Sequence, residues 1–83
     1  MDRKTIILEI LKSLRDGKAP SREDFGIELE PWGEIAELIR DEGLAKSINV
    51  NRGGQGNKVL LVWYSNAKIT LDGLEYIENN DTK

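Results

Sequence analysis

The residues of this chain best suited to chemistry lie in and beside a glycine-rich stretch, NRGGQGNK, at positions 51–58. Three glycines stand within four positions, and a basic residue lies on each side of them. Such a stretch binds phosphate when it leads into a helix, because the first backbone N–H groups of a helix attract anions. A Walker-type phosphate loop also requires Ser or Thr directly after its lysine, but Val59 follows Lys58.

The dinucleotide-binding pattern Gly-x-Gly-x-x-Gly fails as well. It begins at Gly54 and Gly56 but meets Val59 where the third glycine is required. The apolar run that follows, KVLLVWY at 58–64, is rich in β-branched and aromatic residues and predicts a strand, not a helix. We therefore predict that the glycines form the turn of a β-hairpin, where glycine adopts positive φ without steric cost.

No other group of residues favours catalysis or metal binding. The sequence contains neither histidine nor cysteine, which removes the commonest proton shuttle, the thiolate nucleophile and the usual transition-metal ligands. Acids occur as sequence neighbours, such as Glu23/Asp24 and Asp41/Glu42, and a helix turns neighbours to different sides. We therefore predict no enzymatic activity, no metal and no cofactor.

Three helices are predicted before the hairpin. Apolar residues at helical spacing indicate a first helix within residues 2–17, with Asp2 as its cap and a glycine after its end. Ser21 begins a short second helix that ends at Gly26. The third helix runs within residues 30–43, with Pro31 in its first turn.

From residue 44 the periodicity changes to that of a strand. Leu44, Lys46, Ile48 and Val50 alternate with Ala45, Ser47 and Asn49, which indicates a half-buried strand over residues 44–50, and residues 58–64 form the second strand of the hairpin. Trp63 and Tyr64 are neighbours on this strand, so we expect one in the core and the other partly exposed. A last helix begins after a cap at Thr70, and its expected buried face consists of Leu71, Leu74 and Ile77.

This order of elements predicts an α+β fold, a winged helix-turn-helix in one domain spanning residues 1–83. It has three helices, a two-stranded β-hairpin wing and a C-terminal helix. The segments ILEILKSL, ELIRDEGLAKSI and KITLDGLEYIENN resemble the YjcQ-like family of small winged-helix proteins, over nearly the whole chain. Members of that family are often encoded near prophage or mobile-element genes. The resemblance implies the fold and leaves the biochemical activity open.

Charge is segregated along the chain, although the net charge is only −3. Residues 23–42 contain eight acids and one base, whereas residues 43–69 contain four bases and no acid. Solvated faces often show such segregation without any partner. No apolar run is long enough to cross a membrane and no signal peptide is recognisable, so we expect a cytoplasmic protein with no membrane contact.

One hypothesis is a DNA-binding or transcription-regulatory accessory factor. In a helix-turn-helix the second helix of the motif, here the third of the chain, enters the major groove. Its exposed side carries Glu34, Glu37 and Asp41, which oppose contact with phosphates. We therefore expect any contact with double-stranded DNA to be led by the wing, although the same polar side chains would also simply keep a hairpin tip solvated. The residues predicted for this contact are Arg52, Gln55, Asn57, Lys58, Lys46 and Lys68.

The alternative is a protein-interaction module that does not bind DNA directly. Trp32 lies close to the acids of the third helix. An exposed Trp32 would be an aromatic anchor within an acidic rim, whereas a buried one would pack the second helix against the third. The residues of this alternative surface are Trp32, Glu34, Glu37 and Asp41, and the expected partner is basic. That partner is either a DNA-binding protein or a second copy of the chain in a homodimer.

Overall fold

The computed structural model describes residues 2–81, which fold into three α-helices, one short 3-10 helix and four strands. The α-helices are α1 (Arg3–Arg15), α2 (Leu29–Asp41) and α3 (Leu71–Asn80), and the 3-10 helix spans Arg22–Asp24. The strands are β1 (Ala45–Lys46), β2 (Asn49–Gly53), β3 (Lys58–Trp63) and β4 (Lys68–Ile69). The protein is therefore α+β, and β2 and β3 confirm that a β-hairpin forms around the glycine turn.

The ends of α1 and α2 follow the predicted signals. The Asp2 carboxylate accepts a hydrogen bond from the Thr5 N–H at 2.9 Å, and hydrogen bonding with the side chain and then the backbone of Thr5 lowers the pKa of Asp2. Gly43 follows α2 with φ of +73°, and the Leu44 N–H then donates to the Ile39 carbonyl at 3.0 Å. A residue in the left-handed conformation satisfies the last carbonyls of a helix in this way, and glycine adopts it at least cost.

The predicted second helix is smaller than expected. Only a single 3-10 turn forms between Pro20 and Gly26, and the latter has φ of +64°. Five residues between a proline and a left-handed glycine are too few to nucleate an α-helix. The Ser21 N–H donates to the Asp24 carboxylate at 3.3 Å, which fixes the start of this turn at the predicted residue.

The predicted strand over residues 44–50 is divided in two. Ser47 has φ of +64°, which a strand cannot contain, and it separates β1 from β2. The interruption lets Ile48 enter the core, where it is buried. As a result β1 pairs with β4, whereas β2 pairs with β3, and both pairs are antiparallel.

The core lies between the three α-helices and the inner side of the strands. Ile10, Leu11 and Ile39 are its most completely buried large side chains. Among the described residues, no helix is long and apolar enough to cross a membrane.

The buried face of α3 differs from the prediction. Ile77 is buried as expected, but Leu71 is 72% exposed and Leu74 is 40% exposed. The reason is Gly73, which lies so close to the Leu44 carbonyl that a Cβ there would overlap the oxygen. The side of α3 without a side chain at residue 73 therefore packs inward, and the two leucines turn to the surface.

Candidate binding surfaces of the hairpin

A β-bulge in β3 decides which side chains of the hairpin face the core. Asn51 pairs with Leu61 and Arg52 pairs with Val59, so Leu60 is an extra residue on β3. Side chains on one side of such an extra residue point to the opposite face from the one that strict alternation would give them. Val59 consequently faces α2, where a Cβ on Gly33 would lie only 2.5 Å from its nearer methyl group.

Arg52, the first of the predicted DNA contacts, also points inward, toward two carboxylates of α2. Its Nε–H donates to Glu37 at 2.7 Å, and its Nη2–H donates to the other oxygen of that carboxylate at 2.8 Å. Its Nη1–H donates to Glu30 at 3.2 Å and to the Asn57 carbonyl at 2.9 Å. The Arg52 side chain is only 23% exposed. The two-bond fork with Glu37 is the strongest geometry available to an arginine and a carboxylate.

These bonds change the acid–base properties of all three side chains. Hydrogen bonds from Arg52 lower the pKa of Glu37. The pKa of Glu30 is lowered first by the Val59 N–H, which donates to it at 3.0 Å, and then by Arg52. The two carboxylates in turn raise the pKa of Arg52. The positive charge of Arg52 is therefore already neutralised, and a phosphate would have to compete with both carboxylates for it.

The remaining predicted residues at the tip of the hairpin are accessible. Gln55, Asn57 and Lys58 are exposed around a turn in which Gly54, Gly56 and Asn57 have positive φ. The interpretation of the glycine stretch as a hairpin turn is confirmed.

Lys46 and Lys68 lie directly opposite each other in the β1–β4 pair, which is separate from the β2–β3 hairpin that carries the tip. Like charges directly opposite each other in an antiparallel pair are destabilising. Neither lysine forms an ion pair with an acid of residues 2–81. Lys68 and Lys18 line a common cleft of about 350 Å³. The six predicted residues therefore fall into a tip group, a separate lysine pair and the sequestered Arg52.

The four residues of the alternative surface are also separated. Trp32 is 3% exposed and packs between Phe25 and Tyr64, with ring centroids 5.6 and 5.5 Å away. It joins the 3-10 segment to α2 and offers no exposed aromatic surface. The Tyr64 hydroxyl, buried beside it, has no hydrogen-bond partner among the described residues.

Of the three acids in that set, Glu34 and Asp41 are exposed on α2, whereas Glu37 is engaged by Arg52. The acidic stripe read from the sequence is therefore interrupted at its middle position. No group of three or more acidic side chains within residues 2–81 is arranged to hold a metal ion.

The outer face of the hairpin is a surface that sequence reasoning did not identify. Trp63 is 50% exposed, Leu60 58% and Leu61 42%. Asn49 and Asn51 lie on the same face, because each is the cross-strand partner of one of these apolar residues. We use the term outer face for Leu60, Leu61, Trp63 and these two asparagines. Strict alternation would place Leu60 inside with Tyr64, and no sequence signal marks the bulge that moves it out.

Comparison with known proteins identifies the family of this chain but gives no information about these surfaces. The family model described as YjcQ protein matches residues 5–83. No curated protein and no solved structure matches the chain. Since the family match covers nearly the whole sequence, this chain belongs to the YjcQ family.

Proposed function

We propose that this protein is a winged-helix domain that acts as a protein-interaction module through the outer face of its hairpin. The order of α1, the 3-10 helix, α2, the hairpin and α3 supports the winged-helix interpretation, with β2 and β3 as the wing. The hairpin packs on α2, the helix that would be the recognition helix of the motif.

The observation that carries the function is the half-exposed Trp63 beside two exposed leucines. Scattered apolar side chains on a surface need no explanation, but a contiguous group that includes tryptophan is typical of a binding site. Lys58, which pairs with Gly53, lies on the same face of the hairpin as Leu60, because the two residues are two positions apart on β3. The face therefore suits a partner that presents apolar side chains within an acidic rim.

The hairpin is also held rigidly enough to present this face. Val59 packs on Gly33 from the inner side, and Arg52 ties both the strand and the turn to α2. A face whose backbone is fixed before binding loses less conformational entropy when a partner docks. The acidic side of α2 is not part of this surface.

A photo-crosslinking amino acid placed at Trp63 or Leu60 tests the proposal. We expect discrete covalent adducts from both positions when cells producing the protein are irradiated. The matched control carries the photo-crosslinking amino acid in place of Lys4, which is exposed on α1. Adducts from position 60 should also disappear when Trp63→Ser is introduced. Absence of discrete adducts at 60 and 63, or equal yields from position 4, would refute a binding role for this face.

Contact with double-stranded DNA, in an accessory role, is a second candidate function. The uncompensated pair of Lys46 and Lys68 favours it, together with Lys18, which lines a cleft with Lys68, because a polyanion would relieve the repulsion between these lysines. About three phosphate contacts imply a slope near −3 in a plot of log affinity against log salt. An amide NMR titration with a short random duplex is the test. Shifts at these lysines that fade with salt would support the contact, and no shifts at low salt would exclude it.

A further inference from the structure

The described surface has two apolar patches, and the charged residues beside them are of opposite sign. One is the outer face of the hairpin. The other, which we call the α3 face, contains Leu71 and Leu74 and borders a groove toward α1. Five of the six exposed large hydrophobic residues within residues 2–81 belong to these two patches, and only Leu38 lies elsewhere.

The charges beside the patches are complementary. Residues 43–69, which include the whole hairpin, contain no acid, and Lys58 lies beside the outer face, whereas Arg52 is paired with Glu37 and Glu30 on the inner side. Helix α3 contains no base, and its exposed acids next to the two leucines are Asp72, Glu75 and Glu78. Arg15 also lines the groove beside α3, but its Nε–H donates to Asp16 at 3.2 Å. Each patch thus has the apolar content and the charge that the other would select.

We propose that the outer face of the hairpin in one copy of the chain packs on the α3 face of a second copy. This inference rests on the proposed function and names the partner of the same site. Both patches are exposed within one copy, so they do not cover each other in the monomer. A contact between two different surfaces closes into a two-fold dimer when it forms reciprocally, and otherwise extends into a chain of copies. Reciprocal contacts are favoured, because one patch alone is smaller than the roughly 800 Å² per partner of a stable interface.

A charge exchange between two variants tests the contact directly. Lys58→Glu makes the hairpin edge acidic, so that it meets an acidic α3. Glu75→Lys with Glu78→Lys makes α3 basic, so that it meets a basic hairpin. Each variant alone should associate at least about tenfold more weakly than the unmodified chain, because like charges across an interface disfavour it. The mixture of the two should associate again, since every contact between unlike copies then joins opposite charges.

Sedimentation velocity over a concentration series measures the association, and Lys4→Glu is the control for net charge. Trp63→Ser should abolish association, and because the side chain is half exposed, circular dichroism should show that the fold is retained. A monomeric unmodified chain at millimolar concentration, or a mixture that does not associate better than its components, would overturn the proposal.

The crosslinking experiment separates this inference from the function on which it rests. Adducts from position 63 with the mass of two copies, mapped to α3, would support self-association. Adducts to a different protein, with an unmodified chain that stays monomeric, would overturn self-association and leave the binding role of the face intact. Absence of any discrete adduct would defeat both.

Discussion

Replacing Gly33 by alanine tests whether the close approach of α2 and β3 fixes the position of the hairpin. A Cβ at residue 33 would lie 2.5 and 2.7 Å from the two methyl groups of Val59 and 3.1 Å from its Cβ. Rotation of the Val59 side chain would still leave one of its methyl groups overlapping the new Cβ, so the strand or the helix must shift. We expect a cost of about 2–3 kcal/mol, in the upper part of the range for overpacked cores. Because alanine favours a helix over glycine by about 1 kcal/mol, the net loss of stability should be about 1–2 kcal/mol.

The second half of this test is the double variant with Val59→Ala. Removing two buried methyl groups from Val59 should cost about 2–3 kcal/mol alone, from the lost transfer free energy and the cavity. In the double variant the new methyl group of residue 33 occupies part of that cavity. We therefore expect a total loss of about 1–2 kcal/mol, well below the additive sum of about 3–5 kcal/mol.

Urea unfolding of the four proteins gives these free energies, since a domain of this size is expected to unfold in two states. Glu34→Ala, at the exposed neighbouring position, is the control and should change stability by no more than about 0.5 kcal/mol. A Gly33→Ala protein as stable as the parent, or a double variant that is additive within about 0.5 kcal/mol, would show that this contact does not position the hairpin.

Two further predictions concern polar contacts. The pKa of Glu37 and that of Glu30 are lowered in the folded state, so their contribution to stability is present above the unfolded value of about 4.3 and is lost as the pH falls toward the lower folded values. The urea concentration at the unfolding midpoint should therefore fall less in Glu37→Gln than in the parent when the pH is lowered from about 6 to about 3. Equal falls would contradict the fork with Arg52. The Thr70 hydroxyl donates to the Gly43 carbonyl at 2.6 Å and accepts from the N–H of Gly73 at 3.1 Å. Thr70→Val should lose about 1–2 kcal/mol in thermal unfolding, whereas Thr70→Ser should lose much less, and identical midpoints for the two would count against this cap.

The sequence predicts those parts of the fold that short-range signals determine. Gly26 and Gly43 mark the ends of two segments because a left-handed residue is needed directly after the last turn. The hairpin turn is predictable for the same reason, since Gly54 and Gly56 both have positive φ. The opposite orientations of Trp63 and Tyr64 follow from the two-residue period of a strand alone.

The remainder depends on contacts between distant parts of the chain. Leu71 and Leu74 look like a core stripe, but the contact of Gly73 with Leu44, 29 positions earlier, decides which side of α3 is buried. Arg52 looks like a phosphate ligand, but its carboxylate partners lie 15 and 22 positions away. No local pattern distinguishes these residues from their predicted roles. The outer face was missed for a related reason, because one extra residue in β3 reverses the alternation.

The hydrogen bonds of Arg52 with Glu37 and Glu30 also limit which substitutions the chain accepts at these three positions. Loss of Arg52 alone leaves two neighbouring carboxylates on α2 without a counter-charge, and loss of Glu37 alone leaves a partly buried arginine with a weaker partner. Substitutions at 30, 37 and 52 are therefore expected to be accepted together more readily than singly. A lineage in which α2 loses these two acids would have to release the hairpin from α2 in the same steps. The position of the hairpin on α2 is in this sense tied to one arginine.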